Sequence, residues 1–250
     1  MKKINLFWYC VLVCVFASCN DDENGPVLPA VINFPDGNLE LAIREALELG
    51  ADESINTENI LGLESLNLRN AEVTNLTGLE SAENLISLDL REQQIADLGP
   101  IAELKGMEWL SLRETLVTDI SMLEGFNDLV YLNLNRLEGI TDISSLAGAT
   151  RLEELIIRDV QFGDEGMEVI RNFTNLYRLN MRNCNVTQVD ALAHLMENGA
   201  LRDTPDQMAV IDIRDNDIPN EPGNDGYAPI RPFYENLGDR SPNNLPDPMD

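Results

Sequence analysis

The chain has 250 residues, with 44 Asp and Glu against 17 Lys and Arg and a formal net charge of −27. That length holds one domain with short flanks, and that charge repels polyanions, so nucleic acid and anionic membrane surfaces are excluded as partners. One histidine and a single cysteine beyond residue 19 are too few to build a zinc site.

In chain order, Lys2 and Lys3 precede an apolar run from Ile4 to Phe16. The run has signal-peptide length and is too short for a comfortable membrane span. Phe16-Ala17-Ser18-Cys19 resembles a bacterial lipobox. The resemblance implies that residues 1–18 are cleaved and that Cys19 carries the lipid. Phe16 stands where leucine is usual, so an ordinary secretory signal is the other reading. Two or more acyl chains would hold the protein stably on a membrane, its only membrane contact. Cys10 and Cys14 leave with the signal, Cys184 remains alone, and no disulfide framework is available. Asn20-Asp21-Asp22-Glu23 is similar to the surface-export signal of some Gram-negative lipoproteins; otherwise it is a solvated linker. The expected location is therefore the bacterial outer membrane, lipid-anchored and exposed at the cell surface. Residues 19–33, with Gly25, Pro26 and Pro29, read as an acidic tether.

Residues 34–60 read as a helical cap. Asp36 or Asn38 opens the helix. Leu39, Ala42, Ile43, Ala46 and Leu47 make one apolar face, and Gly50 ends it. From residue 61 to 220 the chain repeats. Leu66, Leu88, Leu110 and Leu132 recur every 22 residues, and Leu155, Leu179 and Ile211 continue at steps of 23, 24 and 32. Each is followed two residues later by another apolar residue, from Leu68 to Ile213. Residues two apart share a strand face, and this period is that of a leucine-rich-repeat solenoid. The predicted fold is α/β: about seven coils, a curved parallel sheet on the concave face, and short turns and helices on the convex face. Early coils return through turns such as Asp97-Leu98-Gly99-Pro100. Coils five and six carry helices around Asp164–Phe173 and Asp190–Met196. A loop follows Asn198. Residues 221–250 form a covering segment, with Tyr227, Ile230, Phe233, Tyr234 and Leu237 over the last coil and a frayed tail from Ser241.

Phe34-Pro35-Asp36, Leu39-Glu40-x-Ala42-Ile43-Arg44-Glu45-Ala46-Leu47, Val117-Thr118-Asp119-Ile120-Ser121 and Ile140-Thr141-Asp142-Ile143-Ser144 resemble internalin-type leucine-rich-repeat proteins over residues 34–218. The resemblance implies a non-catalytic binding protein, adhesin-like or receptor-like. Family repeats carry Asn just past the strand; here that column reads Ala71, Gln93, Thr115, Leu137, Val160, Cys184 and Asn216. Its apolar members cannot satisfy backbone groups, which predicts looser turns.

Between the leucines, side chains face the concave surface. One column holds Arg69, Arg91, Arg113, Asn135, Arg158, Arg182 and Arg214, beside Glu92, Glu114, Asp159 and Asp215 in the next, with Asp89 and Asp212 adding to these from the other side. This reads either as a self-neutralised ladder or as a track for an anionic ligand. Another column places Trp109 beside Tyr131, followed by Glu154 and Arg178. Outward aromatics anchor protein partners and sugar rings, or pack on each other. The candidate ligand-binding residues are Trp109, Tyr131, Arg113, Arg91, Tyr177 and Arg178. No catalytic constellation, cofactor motif or metal site emerges. His194 sits among Leu192, Leu195 and Met196. Asp215, Asn216 and Asp217 with Asn220, Asn224 and Asp225 miss the spacing of a calcium loop. The expected molecule is a monomeric surface protein that binds a protein on its concave face or, alternatively, a glycan during polysaccharide uptake.

Overall fold

The computed structural model describes residues 28–50 and 52–234. The stretch expected to be a signal peptide, Cys19, the acidic run after it, Leu237 and the terminal tail lie outside the described residues. The fold is a leucine-rich-repeat solenoid. Seven three-residue strands form one parallel sheet in chain order. They are β1 (Ser65–Asn67), β2 (Ser87–Asp89), β3 (Trp109–Ser111), β4 (Tyr131–Asn133), β5 (Glu154–Ile156), β6 (Arg178–Asn180) and β7 (Val210–Asp212). Leu66, Leu88, Leu110, Leu132, Leu155, Leu179 and Ile211 stand in register across the sheet. All seven are buried, and their neighbours two residues on fill the same core.

The strands are short because each coil turns at once. The residue four past each core leucine adopts a left-handed conformation: Asn70, Glu92, Glu114, Arg136, Asp159, Asn183 and Asp215 have φ between 56° and 65°. Such a backbone costs a non-glycine residue about 1–2 kcal/mol. Five of the seven turns recover part of that through a ladder bond. The N–H groups of Glu92, Glu114, Arg136, Asp159 and Asn183 donate to the carbonyls of Arg113, Asn135, Arg158, Arg182 and Arg214 in the next coil.

The turn column is tighter than the sequence predicts. Ala71, Gln93, Thr115 and Leu137 donate their own N–H to the carbonyl three residues back, which closes the turn whatever the side chain. Gln93 is buried and reaches back one coil: its Oε1 accepts the Val73 N–H at 2.8 Å, and its Nε2 donates to the Arg91 carbonyl. Asn216 does the same for coil six, accepting from the Cys184 and Val186 N–H groups.

The cap is helix α1 (Gly37–Ala46). Only Leu39 and Ile43 of its apolar face are fully buried; Ala42 and Leu47 are half-buried and Ala46 is exposed. The helix ends at Ala46 rather than near Gly50. Glu48 takes φ 54°, and the Arg44 guanidinium folds onto the Gly50 and Glu53 carbonyls, so the chain has already turned. Asp36 is the N-cap. Its Oδ1 accepts from the Asn38 and Leu39 N–H groups, and its Oδ2 from the Thr74 N–H, the Thr74 hydroxyl and the Asn75 N–H. One carboxylate thus starts the helix and pins it to the first coil. Phe34 packs on Gly78, where a Cβ would lie 2.6 Å from its ring. Upstream, Val31 makes an antiparallel bridge with Asn56.

On the convex side the first coils return through short 3₁₀ turns, including Leu79–Ser81, Gly99–Ile101 and Ser121–Leu123. Coils five and six substitute helices α2 (Gly163–Ile170) and α3 (Asp190–Glu197). After β7 the chain forms a hairpin, β8 (Asn220–Glu221) with β9 (Asn224–Asp225). Pro222-Gly223, with Gly223 at φ 75°, is a type II turn pair that closes it. Tyr227 and Ile230 then join the core, and Phe233 and Tyr234 of α4 (Arg231–Tyr234) pack on it.

Candidate functional site

Strand alternation places the candidate residues on the concave face. Ser65, Ser87, Trp109, Tyr131, Glu154, Arg178 and Val210 form one row in register. Near its middle the Trp109 and Tyr131 rings stack, with centroids 4.6 Å apart and planes within 5°. That separation matches the spacing of adjacent strands, about 4.8 Å. The rings therefore stand on edge, like adjacent teeth, rather than lying flat on the sheet. Both are half-buried. The Tyr131 hydroxyl accepts from the Asn133 Nδ2 at 3.1 Å.

Tyr177 and Arg178 do not join that pair. They meet Glu154, the residue beyond Tyr131: the Tyr177 hydroxyl donates to Glu154 Oε1, and Arg178 holds Oε2 at 3.1 Å. The bond to Glu154, with burial, pushes the Tyr177 hydroxyl up to about 12, so it stays a donor at neutral pH. The Val210 N–H at the start of β7 bonds the Tyr177 carbonyl at 2.8 Å, the same ladder step that Arg178 makes to Glu153.

The arginine column is largely closed on itself. Arg113 and Arg136 share Glu114 Oε1 at 2.7 and 2.8 Å. The bonds from Arg113 outweigh partial burial and hold the Glu114 carboxyl below its ordinary value. Arg158 pairs with Asp159, and Arg182 with Asp215. Arg91 departs from the sequence reading. It pairs with Asp89 rather than Glu92 because its coil carries an aspartate two residues before the arginine, where the coils of Arg113 and Arg158 carry Ser111 and Ile156 and those arginines turn to Glu114 and Asp159 instead. Arg214 repeats this with Asp212. The Asp89 and Asp212 side chains are each only 7% exposed, so these two guanidiniums cover buried carboxylates. Arg69 makes no ion pair among the described residues; its N–H bonds Asn67.

Two polar atoms here have spare capacity. Ser111 Oγ, two residues past Trp109, and Asn135 Oδ1, four past Tyr131, are buried without a hydrogen-bond partner among the described residues. His194 lies on α3, away from the sheet, near Arg171 and Asn198. Cys184 is buried, donates to the Ile157 carbonyl, and has its thiol pushed up to about 12 by burial, which makes it inert. Asp215 and Asp225 are engaged by Arg182 and Arg231, and no group of three His, Cys, Asp or Glu among the described residues is arranged to hold a metal ion. No helix among the described residues is long and apolar enough to cross a membrane.

No protein-family model matches the chain, and no curated protein does. Solved structures do. Internalin C2 from Listeria monocytogenes is 27% identical, with a TM-score of 0.60 over 84% of this chain and 93% of that one. Internalin F from the same organism is 23% identical, with a TM-score of 0.59 over 76% of this chain, and the chain spans only 60% of its length. The functional domain of internalin J, also from Listeria monocytogenes, is 19% identical with a TM-score of 0.50 and shares the fold.

Proposed function

We propose that this internalin-type solenoid is a non-catalytic surface binding module that takes a protein ligand on its concave face, around Trp109 and Tyr131. One observation carries the reading: a half-exposed aromatic stack stands in the middle of a face whose arginines, Arg69 apart, are neutralised. Large aromatics at the centre of a patch, ringed by contacts that exclude water, are what interface anchors look like. The edge-on setting favours a protein over a sugar. Each ring here spends one face on the other, the exposed edges form an apolar ridge suited to a partner's pocket, and the one ring face left open, that of Trp109, lies beside exposed carboxylates.

The module is displayed by acyl chains on Cys19 at the cell surface, a reading supported by the sequence around that residue. Cys19→Ala should shift the protein from the membrane to the soluble fraction; full retention would refute lipidation. For the binding site, the full chain is screened in parallel on protein and glycan arrays. Trp109→Ala and Tyr131→Ala should each cost at least about 2 kcal/mol of affinity for the ligand found. Wild-type affinity in both variants would overturn the concave site, and a glycan as the sole hit would replace the protein reading.

A further inference from the structure

The two faces of the aromatic stack that are not used up are unequal. Beyond Tyr131 comes Glu154, already held by Tyr177 and Arg178. Beyond Trp109 come Ser87 and then Ser65. A serine side chain ends one bond past Cβ and cannot cover an indole. The outer face of Trp109 therefore borders a slot two strands wide, floored by two serines.

The rim of that slot is acidic. Pairing continues one residue before the strands, with the Ile86 N–H on the Glu64 carbonyl and the Glu108 N–H on the Ile86 carbonyl. Glu64, Ile86 and Glu108 thus stand in a row beside Ser65, Ser87 and Trp109. All three are exposed, and neither carboxylate makes an ion pair among the described residues. On the opposite side Arg91 is closed on Asp89, and Arg69 lies four residues farther along its strand. An aromatic face beside unneutralised carboxylates attracts a cation, and a planar guanidinium also stacks on indole. The long-range field of a chain with net charge −27 acts in the same direction.

We infer that the slot over Ser65 and Ser87, walled by the free face of Trp109 and rimmed by Glu64 and Glu108, receives an arginine side chain of the protein ligand. The inference rests on the concave-site reading and names the chemistry of its anchor.

A small probe tests it without the ligand. The full chain is titrated with N-acetyl-arginine methylamide, and separately with the citrulline analogue, its neutral isostere. The readout is the indole N–H resonance of Trp109, assigned by its loss in Trp109→Phe. The arginine compound should shift that resonance saturably, and the citrulline compound should shift it at least tenfold less. Ser87→Trp, which fills the slot, should abolish the response. Glu64→Gln with Glu108→Gln, two exposed changes that leave the core untouched, should raise the Kd at least threefold. Equal shifts from both compounds, or an unchanged Kd in the Gln pair, would overturn the cation seat. A macromolecular ligand that needs Trp109 yet tolerates Ser87→Trp would overturn the seat alone; one indifferent to Trp109→Ala would overturn the concave site itself.

Discussion

Asp36→Ala is the sharpest test of how the solenoid is closed. The change removes the N-cap of α1, worth about 1 kcal/mol. It also removes the acceptor for the Thr74 and Asn75 N–H groups and the Thr74 hydroxyl. Bonds to a charged acceptor contribute more than neutral ones, but these lie near the surface and water replaces part of them, leaving about 1 kcal/mol. The sum, about 2 kcal/mol, lowers the melting temperature of a domain this size by about 4–8 °C. Asp36→Asn should fall between, because an amide offers its oxygen to one set of donors and an N–H₂ to the other. The pH dependence supplies a second reading. Burial raises the Asp36 carboxyl, but hydrogen bonds from Thr74, Leu39 and Asn75 outweigh it and hold the group below its ordinary 3.8. A folded pKa below the unfolded one gives stability that is complete above the unfolded value and lost as pH falls through the folded value. The gap between wild type and Asp36→Ala, followed by circular dichroism melts, should stay constant from about pH 7 to 5 and narrow below about pH 4. Melting within 1 °C of wild type at neutral pH, or a gap that persists unchanged in acid, would refute the bridging role.

Gln93→Leu keeps the volume but strands the buried Val73 N–H, so it should destabilise the fold by about 1–3 kcal/mol, measured by urea denaturation. Glu92→Gly relieves a left-handed backbone worth about 1–2 kcal/mol against an entropy loss of about 0.5–1 kcal/mol; a rise in stability of up to about 1 kcal/mol is expected, and a fall would mean the turn is unstrained. Arg91→Gln and Arg113→Gln separate two kinds of ion pair. The first leaves buried Asp89 with the residue-91 backbone N–H but no counter-charge and should cost about 1–3 kcal/mol, the second about 0–1 kcal/mol. Equal losses would mean that burial of the carboxylate does not set the cost.

The solenoid was legible because a 22-residue step in Leu66, Leu88, Leu110 and Leu132 admits few other folds, and because strand alternation then dictates which side chains face out. Trp109 beside Tyr131 follows from that arithmetic alone. Their edge-on stacking does not, since ring planes are set by side-chain rotation, which no spacing encodes. The choice of Asp89 by Arg91 was open to reading: of the column arginines only Arg91 and Arg214 have an aspartate two residues earlier, on the same strand face. Gln93 looked like a failed asparagine, yet its amide oxygen reaches back to the Val73 N–H just as that of Asn216 reaches the Val186 N–H, so glutamine fills the asparagine's role. The hairpin after β7 carried a readable Pro222-Gly223 signal, outweighed by the loop-like composition around it.

Strand order that follows chain order has a mechanical corollary. Tension applied between the amino-terminal end and the Trp109–Tyr131 pair would run through the Asp36 junction, β1 and β2 into β3, and would leave β5 to β7 slack. The load path is short and serial, and the Asp36 contacts that tie α1 to the first coil lie on it, so they carry force as well as stability.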